Sequence, residues 1–487
     1  MVETSNSESA AETSFRELCI RARAEMGIGV ELTKLEGLIR AGLDELGRVL
    51  MREAYAAADI DTPTVRINGV LHSRVRRYTA ALHTTFGEIE VPKTSYQPDR
   101  KTHPVVATDK ALGIVEEHYT PKCAKILCLL TALAVREDVA KIVGEFGGMS
   151  MGSATMYRVP QTVVARYELA RDLVEHEVRA RSEVPPAAAI LQIGIDGVMV
   201  PQEGQHCDPR GRAPKGDPEP PRHERKLPAL PASPRDGDGI EGVAWHEASV
   251  ATVAFYDVQG KHLSTTYLGR MPHEHMALLA SLLLDEVIDV VGRCPDLRVV
   301  LASDGAAGQW SILGDIRARL PPKMQAEAVE LVDLFHVAEH LQIAAAAICA
   351  PDDAAARVMR VGWIETLKAF DDGAERVRQS LRHRLRLTNR QTEVKAIEQA
   401  LSYLKNHRTR MGYHAAEQAN LPLATGPTEA AAKSLVGVRM KRSGARYSQH
   451  GGQTILTLLA AHKSGRFDTL WHVLAERYAA NVVRSAA

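Results

Sequence analysis

Between Phe15 and about Ala58, apolar residues recur three and four apart (Leu32, Leu35, Leu38, Ile39, Leu43, Leu46, Leu50), a spacing that predicts one amphipathic helix or two. From Arg76 to Tyr96 the pattern shifts to β-rich residues, YTAALHTTFGEIEVPKTSY, predicting a hairpin that turns at Phe86-Gly87. Helical spacing returns at Pro121. It runs through CAKILCLLTALAV and REDVAKIVGEF, breaks at Gly147-Gly148-Met149-Ser150, and resumes in SATMYRV, a short helix ending before Pro160. Two short helices around a glycine turn outline a helix-turn-helix; a packing corner without DNA contact fits these residues equally.

A strand-rich block follows: ILQIGIDGVMV from Ile190, ASVATVAFYDVQG from Ala248 and KHLSTTYLG from Lys261. Between the first two, Gln202 to Gly242 is dense in Pro, Gly and charge and is expected to form a long flexible hairpin insert. Met276, Leu279, Ala280, Leu283, Val287 and Val290 then mark one helix face. The strand LRVVLASDG, a second helix and the strand AVELVDLFH complete a β-β-β-α-β-α-β order. Such an order predicts an α/β core, a mixed sheet with helices on both faces. Beyond His336 the chain reads as almost wholly helical.

Composition narrows the picture. With 487 residues and 45% hydrophobic content the chain can form two or three domains. No apolar run approaches the roughly 20 residues that span a bilayer. The start, with Glu3, Glu8 and Glu12 among Ser and Thr, lacks a signal peptide's basic and apolar segments, so no membrane and a cytoplasmic location are expected. Six scattered cysteines point to reduced thiols; Cys123 and Cys128 either open a zinc site or pack on one helix face. Net charge is +0, which by itself says nothing for nucleic acid. Local charge differs. Arg376 to Arg410 holds many Arg and Lys, among them Arg382, Arg384 and Arg386, against Glu393 and Glu398 alone; Arg439, Lys441, Arg442 and Arg446 form a second cluster. Both suggest a localised polyanion footprint.

Asp196 falls late in the first predicted strand and Asp304 ends the fourth, each followed by glycine. Function in open sheets gathers at strand carboxyl ends, so both carboxylates can converge on one metal. Glu429, in the first turn of a helix opened by Gly426-Pro427, supplies a third. Hard oxygen ligands suit Mg²⁺ or Mn²⁺, and two such ions drive in-line displacement at phosphorus. Each carboxylate alone also has an ordinary reading, as a turn residue or a helix-dipole partner.

Taken together, IGIDGVMV, ASDGAAGQW, LVDLFHVAEHL and LPLATGPTEAAAKSLVGVRMKRSGARYS resemble the DDE transposases of bacterial insertion sequences, most closely the ISKra-type group, from about Thr84 to about Leu459. The resemblance implies a ribonuclease-H-like catalytic core with a large all-α insertion and an α-rich N-terminal region. The boundaries it suggests are 1–110 (helix and hairpin), 111–185 (helix-turn-helix-like), 186–339 (core), 340–419 (insertion) and 420–487 (end of the core with C-terminal helices). Also implied are metal ligation by Asp333 and a phosphate or leaving-group contact by His336, from an Asp-x-x-His signature. The second basic cluster would lie along DNA near the scissile phosphate. The partners implied are double-stranded DNA, as terminal repeats and target, and further copies of the chain. Departures are Leu334-Phe335 where an aromatic pair is common, Ala424-Thr425-Gly426-Pro427 where Ile-Gly-Ser leads to the Glu, and a longer insert after Asp196. Two alternatives stand beside this: a non-catalytic DNA-binding protein derived from a transposase, and a zinc metallopeptidase read from the H-x-x-E-H pattern of His336, Glu339 and His340.

Overall fold

The computed structural model describes residues 9–27, 31–149, 152–203, 243–272, 275–442 and 445–484. The chain divides into one unit of Met1–Arg181 with Gly465–Ala487 and another of Ser182–Ser464. No helix among the described residues is long and apolar enough to cross a membrane.

In the first unit the leading helical region is two helices, α1 (Ala10–Ala24), started by a Ser9/Glu12 capping box, and α2 (Leu32–Ala58). Strands β1 (Thr64–Ile67), β2 (Val70–Thr84), β3 (Gly87–Gln97) and β4 (Val105–Val106) form an antiparallel sheet, with Val482–Arg484 from the chain's end paired to β1. The expected hairpin is present, its two-residue turn being Thr85-Phe86, with Thr84 opposite Gly87. Residues 465–484 therefore go with this unit and not with the core that the sequence suggested for them. Helices α3 (Ala107–Leu112), α4 (Pro121–Leu133), α5 (Arg136–Phe146), α6 (Ser153–Leu169) and α7 (Arg171–Ala180) follow. Helix α6 does not stop before Pro160 but runs through it. The ring costs one backbone hydrogen bond, which the turns on either side outweigh. Glycine is obligatory at the break, since a Cβ on Gly148 (φ +78°) would lie 2.2 Å from the Thr85 carbonyl oxygen.

In the second unit β5 (Ile190–Glu203), β6 (Val243–Tyr256), β7 (His262–Arg270), β8 (Arg298–Ser303) and β9 (Val329–Val332) make one mixed sheet ordered β7-β6-β5-β8-β9. The first three strands are antiparallel; β8 and β9 add parallel to β5. Strands β5 and β6 pair from Ile190↔Tyr256 to Glu203↔Val243, so Gln202 and Glu203, where the insert was predicted to begin, still belong to β5; the rest of the predicted insert, 204–242, lies outside the described residues, as does Cys207. The crossovers are α8 (His275–Arg293), then α9 (Ala307–Ala318) with α10 (Pro322–Glu327). Leu279, Leu283 and Val287 of α8 and Leu313 and Ile316 of α9 share a core with Ile193 and Ile195 of β5.

The predicted insertion is helical: α11 (Leu334–Cys349), α12 (Asp353–Ala369), α13 (Gly373–Leu387), α14 (Gln391–Asn406) and short α15 (Tyr413–Gln418). After it come α16 (Gly426–Ala431), a π-helical stretch Ala432–Gly437, α17 (Val438–Met440) and α18 (Gln449–Lys463). Helix α16 and α18 lie on the face of the sheet that carries Gly194 and Gly269. Thr428 Oγ1 bonds Thr252 Oγ1 at 2.7 Å, and Leu456 meets the space above Gly269.

Candidate functional site

Asp196 is not near the end of its strand, since β5 continues seven residues further to Glu203. It is nevertheless level with Asp304. The parallel ladder ends at Gly194↔Ala302; two residues further along the chain on each side stand Asp196, still within β5, and Asp304, the first residue past β8. The longer β5 is accounted for by β6, which stays paired beyond the point where β8 stops.

Burial pushes the Asp196 carboxyl up to about 6, and the charges of Asp304 and Glu247 add to this; the Gly197 N–H, donating to Oδ1 at 2.7 Å, and His336 pull the other way. Three charged or titratable groups therefore act on Asp196: Asp304, His336 and, from the opposite face of the sheet, Glu247. The last was not singled out by sequence. Its side chain lies over Gly197, where a Cβ would come within 2.3 Å of the carboxylate oxygen.

Asp304 is fixed through one oxygen. Ala306 N donates to Oδ1 at 3.0 Å. The surroundings of buried Gln309 set its amide nitrogen toward acceptors, 2.7 Å from Asp304 Oδ1 and 3.2 Å from the Ile195 carbonyl, with Ser303 Oγ also adjacent. Gln309 thus ties β5 to the turn after β8, and these bonds all go to Oδ1, not to Oδ2.

Asp333 is a buried junction. Its N–H donates to Ser303 O at 2.9 Å, and Oδ1 caps α11 by accepting from Phe335 N (2.6 Å) and His336 N (3.3 Å). Oδ2 accepts from Thr425 N at 2.6 Å and from the Thr425 hydroxyl. Both oxygens are thereby occupied with protein donors, so the geometry favours positioning over the metal ligation that the resemblance implied for Asp333. His336 follows in the first turn of α11, half-buried, with Nδ1 3.3 Å from Glu339.

Glu429 is in the first turn of α16 and exposed. Gln192 Nε2 donates to Ala424 O (2.9 Å), and a Cβ on Gly194 would strike Thr428 Oγ1 at 2.0 Å. Segment 424–428 therefore runs along β5 in step with Gln192 and Gly194, toward Asp196 on the same face. Glycine at 194 is what lets the helix come this close. Among the described residues no three His, Cys, Asp or Glu side chains stand grouped as a ready metal set, so Glu429 shares the face of Asp196 without closing on it.

No protein-family model matches this chain, and no curated protein matches it.

The basic positions separate. Arg382 is paired with Glu375 at 2.9 Å, whereas Arg384 and Arg386, in the last turn of α13, are exposed. Lys441 and Arg442 are exposed and Arg446 is half-buried. Arg439 departs from the expected DNA face: it is 6% exposed, with Nη1 3.4 Å from the Tyr447 hydroxyl, which donates to Arg439 O at 2.9 Å. Cys123 and Cys128 are buried and their thiols pushed up by that burial, Cys123 to about 12; Cys123 Sγ packs 3.7 Å from Met149 Sδ. Helix packing accounts for both. His340, required by the metallopeptidase pattern, stacks on Tyr403 at 3.8 Å between ring centroids.

Proposed function

We propose that this protein is a DDE-class DNA transposase similar to the ISKra-type insertion-sequence enzymes, cutting element ends and joining them to target DNA by metal-dependent phosphoryl transfer. The observation that carries the reading is the placement of Asp196 on β5 level with Asp304, the first residue past the neighbouring parallel strand β8, with the Glu429 helix on the same face of β5. A three-stranded meander extended by two parallel strands beyond its first member is also the arrangement a ribonuclease-H-like core needs. Asp196 and Asp304 would hold Mg²⁺ or Mn²⁺, with Glu429 joining from α16. The donor set fits: hard oxygens, one of them a carboxyl held up by burial beside a second carboxylate, a state that a divalent cation relieves. Bound metal would supply Lewis-acid stabilisation of charge developing at phosphorus.

The chain's own groups do the rest. Gln309 and the Ala306 N–H aim Asp304, Asp333 fixes the start of α16, and His336 stands beside Asp196 to donate a hydrogen bond to a phosphate or leaving oxygen. Exposed Arg384, Arg386 and Lys441 would contact the DNA backbone, which positions the duplex without reading its sequence. Assembly of several copies on paired DNA ends, and a cytoplasmic site of action, belong to the same reading. The test is Mg²⁺-dependent nicking of a DNA fragment bearing the inverted repeats that flank the gene. Wild-type protein should nick it and Asp304→Asn should not; equal activity in the two would sink the assignment.

A further inference from the structure

The turn that carries Asp304 is gripped from outside the sheet. Tyr403 on α14 donates its hydroxyl to the Asp304 main-chain oxygen at 2.7 Å. Its ring contacts two histidines, His340 of α11 (3.8 Å between centroids, stacked) and His407 just past α14 (4.7 Å, tilted). Next to Asp304, Gly305 sits at φ +112° with no room for a side chain: a Cβ would be 2.9 Å from His407 Nε2 and 3.3 Å from the Tyr403 hydroxyl. His407 Nδ1 is buried with no hydrogen-bond partner among the described residues, so ring packing holds this imidazole against the turn.

We propose that Tyr403 is a positioning residue for Asp304, and that the His340–Tyr403–His407 ring cluster is the joint through which the helical insertion sets the direction of that carboxylate. The inference rests on the reading of Asp304 as a metal ligand. An Asp whose Oδ1 is tied to Ala306 and Gln309 presents Oδ2 in a direction set by its own peptide plane. The Tyr403 hydroxyl, bonded to the carbonyl of that plane, limits its rotation.

The experiment measures Mn²⁺ binding to the full chain by electron paramagnetic resonance of the free ion, in wild type, Tyr403→Phe and Asp304→Asn. Nicking against Mg²⁺ concentration and DNA affinity in EDTA are read in parallel. Loss of one neutral hydrogen bond predicts a roughly two- to tenfold weaker Mn²⁺ affinity in Tyr403→Phe. The Mg²⁺ concentration for half-maximal nicking should rise by a similar factor, with the rate at saturating Mg²⁺ and the DNA affinity near wild type. A purely structural tyrosine would lower the unfolding temperature and leave Mn²⁺ affinity alone, and that result overturns the proposal. Should Tyr403→Phe fail to fold, Gly305→Ala disturbs the same joint from the sheet side; unchanged Mn²⁺ affinity there overturns it equally. Equal Mn²⁺ binding by wild type and Asp304→Asn is a different failure, removing the metal-site reading on which the inference rests.

Discussion

Replacing Asp196 by Asn should stabilise the metal-free protein. The carboxyl is moved from 3.8 to about 6, mainly by burial and then by Asp304, so ionising it in the folded state costs more than in the unfolded chain. At about 1.36 kcal/mol for each pH unit the displacement corresponds to roughly 3 kcal/mol. Solvent reaching a half-buried group trims this to about 1–2 kcal/mol. Below pH 3.8 the carboxyl is neutral in both states, and wild type and Asp196→Asn should be equally stable. As pH rises from 3.8 through 6 the unfolded chain releases this proton first, and wild type loses stability. The loss is complete above 6. Asn keeps a side-chain oxygen for the Gly197 N–H and carries no charge to bury.

The assay is thermal unfolding in EDTA at pH 4 and pH 7.5, following the transition of the Ser182–Ser464 unit. At pH 7.5 the variant should melt about 2–6 °C above wild type; at pH 4 the two should nearly coincide. Mg²⁺ should reverse the order by raising the wild-type midpoint and not the variant's. A gain of the same size at both pH values, or none at pH 7.5, would refute the electrostatic account of Asp196.

Three further outcomes follow from the same geometry. Gln309→Leu keeps the volume but removes the donor shared by Ile195 O and Asp304 Oδ1, and should slow nicking by about 10- to 100-fold with DNA affinity unchanged in a gel-shift titration. The double variant Arg384→Ala/Arg386→Ala should flatten the plot of log affinity against log salt by about 2, because each phosphate contact contributes about 0.9 to that slope. Arg439→Ala should lower the unfolding temperature and leave that salt slope alone, because its guanidinium is buried beside Tyr447.

The strand order was legible because alternation and glycine punctuation repeat locally: ILQIGIDGVMV, KHLSTTYLG and LRVVLASDG each announce themselves, and the helices between them have clear apolar faces. Glu429 was placed in a helical first turn by Gly426-Pro427, and it is there. What failed locally has local causes. Pro160 reads as a stop because a single residue's propensity is visible where the packing that overrides it is not. Arg439 reads as a surface cation because charge counts ignore which way a helix faces. Other features had no signal at all. Gln309 is a polar residue inside a helix, and only the fold brings Ile195 O within its reach. The Asp333–Thr425 bond joins residues 92 apart in sequence, and only β6 pairing brings the charge of Glu247 close enough to act on Asp196. The π-helical stretch after α16 likewise leaves no mark on a 3.6-residue pattern, although such distortions gather at functional sites.

The word insertion suggests a module that could be removed, and the packing argues otherwise. Leu381, Ile397, Ala400 and Leu404 from the helices after α11 belong to the same buried core as Leu301 and Leu331 of the sheet. Polar ties join the same parts at the carboxyl ends of the two parallel strands. Besides Tyr403 on Asp304, the Tyr413 hydroxyl donates to Val332 O at 2.7 Å. Arg410 reaches Glu330 of β9 at 2.8 Å while lying 4.1 Å over the ring of Trp310. Every one of these contacts falls within a few residues of Asp304 or Asp333. Strands β8 and β9 are short, six and four residues, and β9 is an edge. A short edge strand has little pairing of its own to hold the residues that follow it. The helices supply that rigidity where the sheet cannot, so the carboxylate geometry at Asp304 belongs as much to α14 as to β8.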